Sequence, residues 1–195
     1  MIAAKTSDPI PYVDQAKALF KKQQYQEALA VIELAKQNNA YNEHTSSIEG
    51  RILKAMGSGA DAIALYHSKI DAGAINPAIY NDLTQLYFEH KDYKQALAVV
   101  GQAKQNNAQN EHTISIEGRI LKAMGSGDDA IALYQSIIDA GSTDPFFYAD
   151  LAQLYFEQED YEQALSVLVQ AKAVGAVNNY TKNMDNKIRR AMEQR

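Results

Sequence analysis

The chain has no cysteine, no tryptophan and only four prolines among its 195 residues. Without cysteine, a disulfide framework, a thiolate nucleophile and a cysteine-ligated zinc site are all excluded, and redox chemistry places no constraint on the compartment. No stretch approaches the roughly 18 apolar residues that a membrane span needs, so no membrane span is expected. The opening residues Met1 to Asp8 lack the apolar segment of a signal peptide. A cytoplasmic chain fits these features, and so does a mature secreted or periplasmic fragment; localisation stays open. Cations are also in short supply, with 19 Lys and Arg against 24 Asp and Glu and a formal charge of −5. Such a balance repels a nucleic-acid backbone, so no nucleic-acid partner is expected.

What the chain does have is repetition. Its 46% hydrophobic and 22% charged residues are those of an ordinary folded protein, but they recur. Ala35-Lys-Gln-Asn-Asn39 returns as residues 103–107, and the run from Ser47 to Gly59 returns as 115–127, both at a shift of 68. Aligning 25–92 with 93–160 gives 49 identities in 68 positions, an identity that fits a recent duplication or an engineered array. The 68-residue unit is itself two units of 34, marked by an Asx residue at Asp8, Asn42, Asn76, Asn110, Asp144 and Asn178. Pro follows at Pro9, Pro77 and Pro145, the arrangement of a helix cap with proline in the first turn, where its missing N–H costs nothing.

Within each unit the apolar spacing is helical. Tyr80, Leu83 and Tyr87, then Ala96, Val100 and Ala103, recur at three, four and seven and place one apolar stripe on each of two successive helices. Polar breaks separate the two helices, His90-Lys-Asp92 and Gln158-Glu-Asp160 in some units, Gly57-Ser-Gly59 and Gly125-Ser-Gly127 in the others. Each unit therefore reads as a helical hairpin.

These residues resemble the tetratricopeptide repeat (TPR) family, whose motif is 34 residues long. The third unit carries Tyr80, Leu83, Thr84, Tyr87, Ala96, Val100, Ala103 and Ala108 at the family's positions, and the fifth carries Tyr148, Leu151, Ala152, Tyr155, Ala164, Leu168, Ala171 and Ala176. The second and fourth have Gly50 and Gly118, Leu53 and Leu121, Ala62 and Ala130, Tyr66 and Tyr134; the first has Tyr12, Ala16, Leu19, Ala28, Ile32 and Ala35. The chain departs from the motif where Gln15, Glu49 and Glu117 replace its leucine, and the proline usual near the unit's end is missing. The resemblance implies an all-α solenoid, wound as a right-handed superhelix, of five helix-turn-helix repeats over 9–178, namely 9–42, 43–76, 77–110, 111–144 and 145–178. A flexible segment 1–8 precedes them and a C-terminal capping helix, 179–195, follows. One hairpin is too small to bury an adequate core, so stability must come from stacking.

Several motifs invite other readings. Gly57-Ser-Gly59 through Ala62 and its copy match a dinucleotide fingerprint in letters, but a helix precedes each where a strand is required. Ile48-Glu-Gly-Arg51 spells a processing-protease sequence inside a predicted helix. His44, His67, His90 and His112 do not form a recognised metal motif. The tail has Lys182, Lys187, Arg189, Arg190 and Arg195 against Asp185 and Glu193, which reads as a solvated helix face. No catalytic constellation emerges, so the chain is not expected to be an enzyme, and no cofactor or metal is expected.

In the family, binding residues lie on the first helix of each repeat, along the concave side of the superhelix. By that resemblance the groove presents Lys17 and Phe20; His44, Ser47, Arg51 and Lys54; Asn81, Gln85, Phe88 and Glu89; His112, Ser115, Arg119 and Lys122; and Gln153, Phe156 and Glu157. Arginine pairs with carboxylates and aromatics act as hot spots, so a peptide or protein segment with acidic and apolar side chains complements such a surface. The competing possibility is that the cations pair locally with Glu89 and Glu157. A carboxylate clamp of the kind that grips chaperone tails is disfavoured, because Val13, Ser47, Asn81, Ser115 and Ala149 stand where it needs lysine. The expected function is that of a non-enzymatic protein-interaction module, an adaptor or assembly scaffold. The alternatives are a structural or engineered array without a natural ligand, and an RNA-binding helical-repeat protein, which the net charge opposes.

Overall fold

A computed structural model describes residues 6–194. They form eleven helices and, among the described residues, no strand. In chain order these are α1 (Ile10–Lys21), α2 (Tyr25–Gln37), α3 (Glu43–Ala55), α4 (Gly59–Asp71), α5 (Pro77–Glu89), α6 (Tyr93–Gln105), α7 (Glu111–Ala123), α8 (Gly127–Asp139), α9 (Pro145–Glu157), α10 (Tyr161–Ala173) and α11 (Asn179–Glu193). Corresponding helices recur about every 34 residues.

The helix starts are where the Asx comb places them. Asp8 accepts from the Ile10 N–H, Asn76 from Ala78, Asn110 from Thr113 and Asp144 from Phe146, all at 2.9–3.0 Å. Asn42 and Asn178 build full capping boxes with Thr45 and Thr181, each satisfying amide donors that the first turn would otherwise leave orphaned. The helix ends obey a second rule. A left-handed residue stands at Gln23, Gly57, Lys91, Gly125 and Glu159 inside the hairpins, and at Asn39, Gly73, Asn107, Gly141 and Gly175 between them. Each reverses the chain and lets the next amides close on the last carbonyls of the helix.

The chain divides into two compact units, one ending at Thr113 and the other beginning at Ile114, inside α7. In the first, α1 packs on α2 and α3, α3 on α4 and α5, and α5 on α6. Its core has two clusters, one around Tyr12, Ala28, Ile32 and Ile52 and the other around Tyr66, Ile79, Tyr80, Leu83 and Val99. In the second unit α9 is central, packed by α8, α10 and α11, and one cluster runs from Ala130 and Tyr134 through Phe147, Leu151 and Leu168 to Met184 and Ile188. Small residues at the contacts, Ala16, Ala28, Ala62, Ala96, Ala152 and Ala164, are fully buried and allow this close approach.

Two tyrosine devices recur with the repeat. The hydroxyls of Tyr12, Tyr80 and Tyr148 donate back to the carbonyls of Thr6, Ala74 and Ser142, six residues earlier, and staple each helix to the segment that enters it. In the other units Tyr66 and Tyr134 lie across Gly50 and Gly118, where an added Cβ would stand 2.2 Å from the ring, and donate to the Ser47 and Ser115 carbonyls at 3.2 Å. Of the leading segment predicted to be flexible, residues 1–5 lie outside the described residues, whereas Thr6 is held by Tyr12 through both its N–H and its carbonyl. The tail predicted to cap the array is helical over Asn179–Glu193, with Met184 and Ile188 buried; Arg195 lies outside the described residues.

Candidate functional site

In the first unit the first helices α1, α3 and α5 lie side by side, and their facing side chains border a half-open cavity of about 370 Å³. Phe20 of α1, Arg51, Lys54 and Ala55 of α3, and Gln85 and Leu86 of α5 line it. Four of these, Phe20, Arg51, Lys54 and Gln85, are residues the sequence assigns to the binding face. Tyr66 and Asp82 complete the wall. They are absent from the sequence-based set, although a signal was available: Tyr66 and Tyr134, like Asp82 and Asp150, are equivalent across the 68-residue shift.

Asp82 is the electrostatic centre of this wall. Its Oδ2 accepts from Arg51 Nε at 2.7 Å, from Ser47 Oγ at 3.0 Å and from the Tyr66 hydroxyl at 3.3 Å. Partial burial works against the Arg51 charge, but the Asp82 bond outweighs it and holds the guanidinium above its ordinary range. Burial, reinforced by the Asp82 charge, pushes the Tyr66 phenol up, so it stays a neutral donor. The Asp82 bond uses one of the five guanidinium N–H groups of Arg51 and leaves a fork with which to meet a ligand carboxylate.

The cations of the predicted binding face are largely paired. Lys54 donates to Glu89 at 2.7 Å and Gln85 donates to the same oxygen at 2.9 Å; in the second unit Lys122 and Gln153 do the same to Glu157, both at 2.6 Å. Of the two possibilities, local pairing is what Lys54 and Lys122 adopt. Burial would raise both glutamates, yet these donors outweigh it and lower them.

The remaining predicted residues separate into exposed and buried sets. Lys17 and His44 are exposed on α1 and α3, and His112 at the start of α7. Ser47 and Asn81 are buried, at 4% and 5% exposure: Ser47 is spent on Asp82, while Asn81 donates to Asn110 and accepts from Thr113. They join helices and offer no contact surface. Ser115 is half-buried and Arg119 exposed, the latter near enough for its charge to act on Asp150. Burial nevertheless raises the Asp150 carboxyl, against hydrogen bonds from Tyr180 and Tyr134. Phe20, Phe88 and Phe156 are half-buried and each tilts against a tyrosine of its own hairpin, Tyr25, Tyr93 and Tyr161, with centroids 5.3–5.7 Å apart. Phe156 is also covered from α11, where Lys187 Nζ stands 4.4 Å above its ring and donates to Gln153 Oε1 at 3.1 Å.

An all-α stack of hairpins, each opened by an Asx cap and closed by a left-handed turn, is the architecture of a helical-repeat protein. The tetratricopeptide repeat family profile matches residues 121–180, and the fold of the chain is that of tetratricopeptide-repeat structures. No curated protein sequence matches the chain. Among solved structures it is similar to PilF of Pseudomonas aeruginosa, at 13% identity and a TM-score of 0.73, over 95% of this chain and 84% of that one. It is also similar to a thermophilic TPR protein of Thermus thermophilus, at 18% identity and a TM-score of 0.66, over 92% and 98%. A third, YrrB, described as a TPR protein with an unusual peptide-binding site, shares 18% identity and a TM-score of 0.60 over 92% and 93%. At these identities the likeness is one of fold.

Proposed function

We propose that the chain is a non-enzymatic adaptor or scaffold that binds a segment of a partner protein across the first helices of its N-terminal unit, with acidic and apolar side chains of the partner as the recognised features. The observation that carries this reading is the cavity at Phe20, a half-buried aromatic ring beside Arg51 and Lys54. It pairs an apolar anchor with charge-assisted donors, the combination typical of interface hot spots. The peptide-binding site named for YrrB is compatible with the same use of the fold.

The test is a pull-down with the full chain, followed by binding measurements on the purified partner. Phe20→Ala removes the anchor and is expected to speed dissociation, whereas Arg51→Glu is expected to slow association and flatten its salt dependence. A partner that binds both variants as tightly as the parent moves the site away from this cavity.

A further inference from the structure

Corresponding rungs of the repeat differ in one respect that decides whether the phenylalanine is open. On α9 the ring of Phe156 is flanked by Gln153 and Glu157, one turn apart, with Gln153 donating to Glu157. This stripe is gripped by Lys122 of α7 and by Lys187 of α11, and the second grip lays the Lys187 ammonium on the Phe156 ring. The counterparts of Phe156 and Lys187, 136 residues earlier, are Phe20 and Arg51. Here the stripe is not Gln and Glu: Lys17 and Lys21 stand in their places on α1, both exposed. Two lysines cannot accept from a facing cation, and they repel it. Arg51 is drawn to the other side, to Asp82 at 2.7 Å, and the space that Lys187 fills on Phe156 is at Phe20 a cavity.

We infer that Lys17 and Lys21 are the specificity-determining residues of this site: they hold the Phe20 cavity open by excluding Arg51 from the ring, and they select an acidic peptide that carries an aromatic side chain. This rests on the reading of the Phe20 cavity as a binding site and names its ligand. Lys17 and Lys21 flank Phe20 along α1, three residues before it and one after, Arg51 and Lys54 line the cavity with it, and the carboxylates opposed to them are Asp82 and Glu89, which Arg51 and Lys54 already engage. The rung is thus positive in a chain whose total charge is −5. A basic or uncharged segment gains nothing from this rung. A segment with Asp or Glu flanking an aromatic ring places the ring on Phe20 and its carboxylates among the lysines, where they restore the acceptors that Gln153 and Glu157 provide on α9. The arrangement is confined to the first repeat, since α5 carries Gln85 and Glu89 at the same two positions.

The experiment is selection of a phage-displayed random peptide library on the full chain, with the enriched peptides synthesised and measured by fluorescence polarisation against three variants. Enrichment of acidic peptides containing Phe, Tyr or Trp is expected, with affinity falling ~10-fold or more, a difference typical of a few well-placed charge contacts, in the double variant Lys17→Gln with Lys21→Glu. Phe20→Ala is expected to abolish the preference for the aromatic residue. Lys22→Gln, one position outside the stripe, serves as the control and is expected to leave binding unchanged. Basic or uncharged peptides that are enriched and still depend on Phe20 would overturn the inference and leave the binding site standing. Enriched peptides indifferent to Phe20→Ala, or no enrichment at all, would overturn both. Circular dichroism of each variant separates lost binding from lost folding.

Discussion

The ring of Tyr66 lies so close over Gly50 that a Cβ added there would stand 2.2 Å from its Cζ, and the same contact recurs between Tyr134 and Gly118. Alanine at either glycine gains up to about 1 kcal/mol in helix propensity and loses more to overpacking. Gly50→Ala and Gly118→Ala are each expected to be destabilised by about 1–3 kcal/mol, read as lower urea midpoints with unchanged slope. Gly101 is the control: nothing lies within 4 Å of its added Cβ, inside α6. Gly101→Ala should stabilise by roughly 0.5–1 kcal/mol, read as a higher midpoint.

The left-handed turn residues allow a prediction of opposite sign. Lys91 at φ 61° and Glu159 at φ 61° occupy a conformation that side chains resist, whereas Gly57 and Gly125 occupy the equivalent place at no steric cost. Lys91→Gly and Glu159→Gly are expected to stabilise by up to about 1 kcal/mol, and Gly57→Ala to destabilise by about 1–2 kcal/mol. Thermal melts of the three variants decide it.

Asp82 gathers three donors from two other helices; of these the buried Ser47 hydroxyl has most to lose, because Tyr66 also donates to the Ser47 carbonyl and Arg51 is exposed to water. Asp82→Ala is expected to cost about 1–3 kcal/mol through the unsatisfied Ser47 hydroxyl and the lost Arg51 bond. It should also free Arg51 to move, so the same variant should change peptide selectivity at Phe20, as measured by polarisation.

The acid range tests the Lys54–Glu89 and Lys122–Glu157 pairs. Both glutamates are lowered from the ordinary 4.5. Ionised carboxylates therefore favour the fold; their contribution is complete above about pH 4.5 and is lost as the pH falls through the lower folded value. Because all four side chains are about 40% exposed, each pair is worth no more than about 1 kcal/mol. Denaturant midpoints followed from neutrality to about pH 3 should fall less steeply in Glu89→Gln with Glu157→Gln than in the parent. Asp150, raised by burial, works the other way: its ionised form costs stability, and that cost is relieved on acidification.

The covering of α11 gives the last prediction. Lys187→Ala uncovers the Phe156 ring and removes a donor from Gln153. A cation–π contact of this exposed kind is worth about 0.5–1 kcal/mol, so a small stability loss is expected, together with new binding of cationic probes at Phe156. Titration with an arginine- or lysine-containing peptide, monitored by chemical-shift changes of the Phe156 ring, checks it.

The sequence by itself determined the period, the hairpins and their ends. The six Asx caps act on amides two or three residues away, and the apolar stripes follow from the 3.6-residue turn, so both are local and repeat visibly. The small residues Gly50 and Gly118 were legible as contact points for the same reason. What tertiary structure decided is which charged and aromatic groups of the predicted binding face are engaged. Arg51 engages Asp82, 31 residues away in sequence, and Phe20 is left bordering a cavity; no spacing rule ranks such partners. They are settled only once α1, α3 and α5 are adjacent. Ser47 and Asn81 illustrate the same limit, since a polar residue at a binding position and one bridging two packed helices look alike until the neighbouring helix supplies the partner.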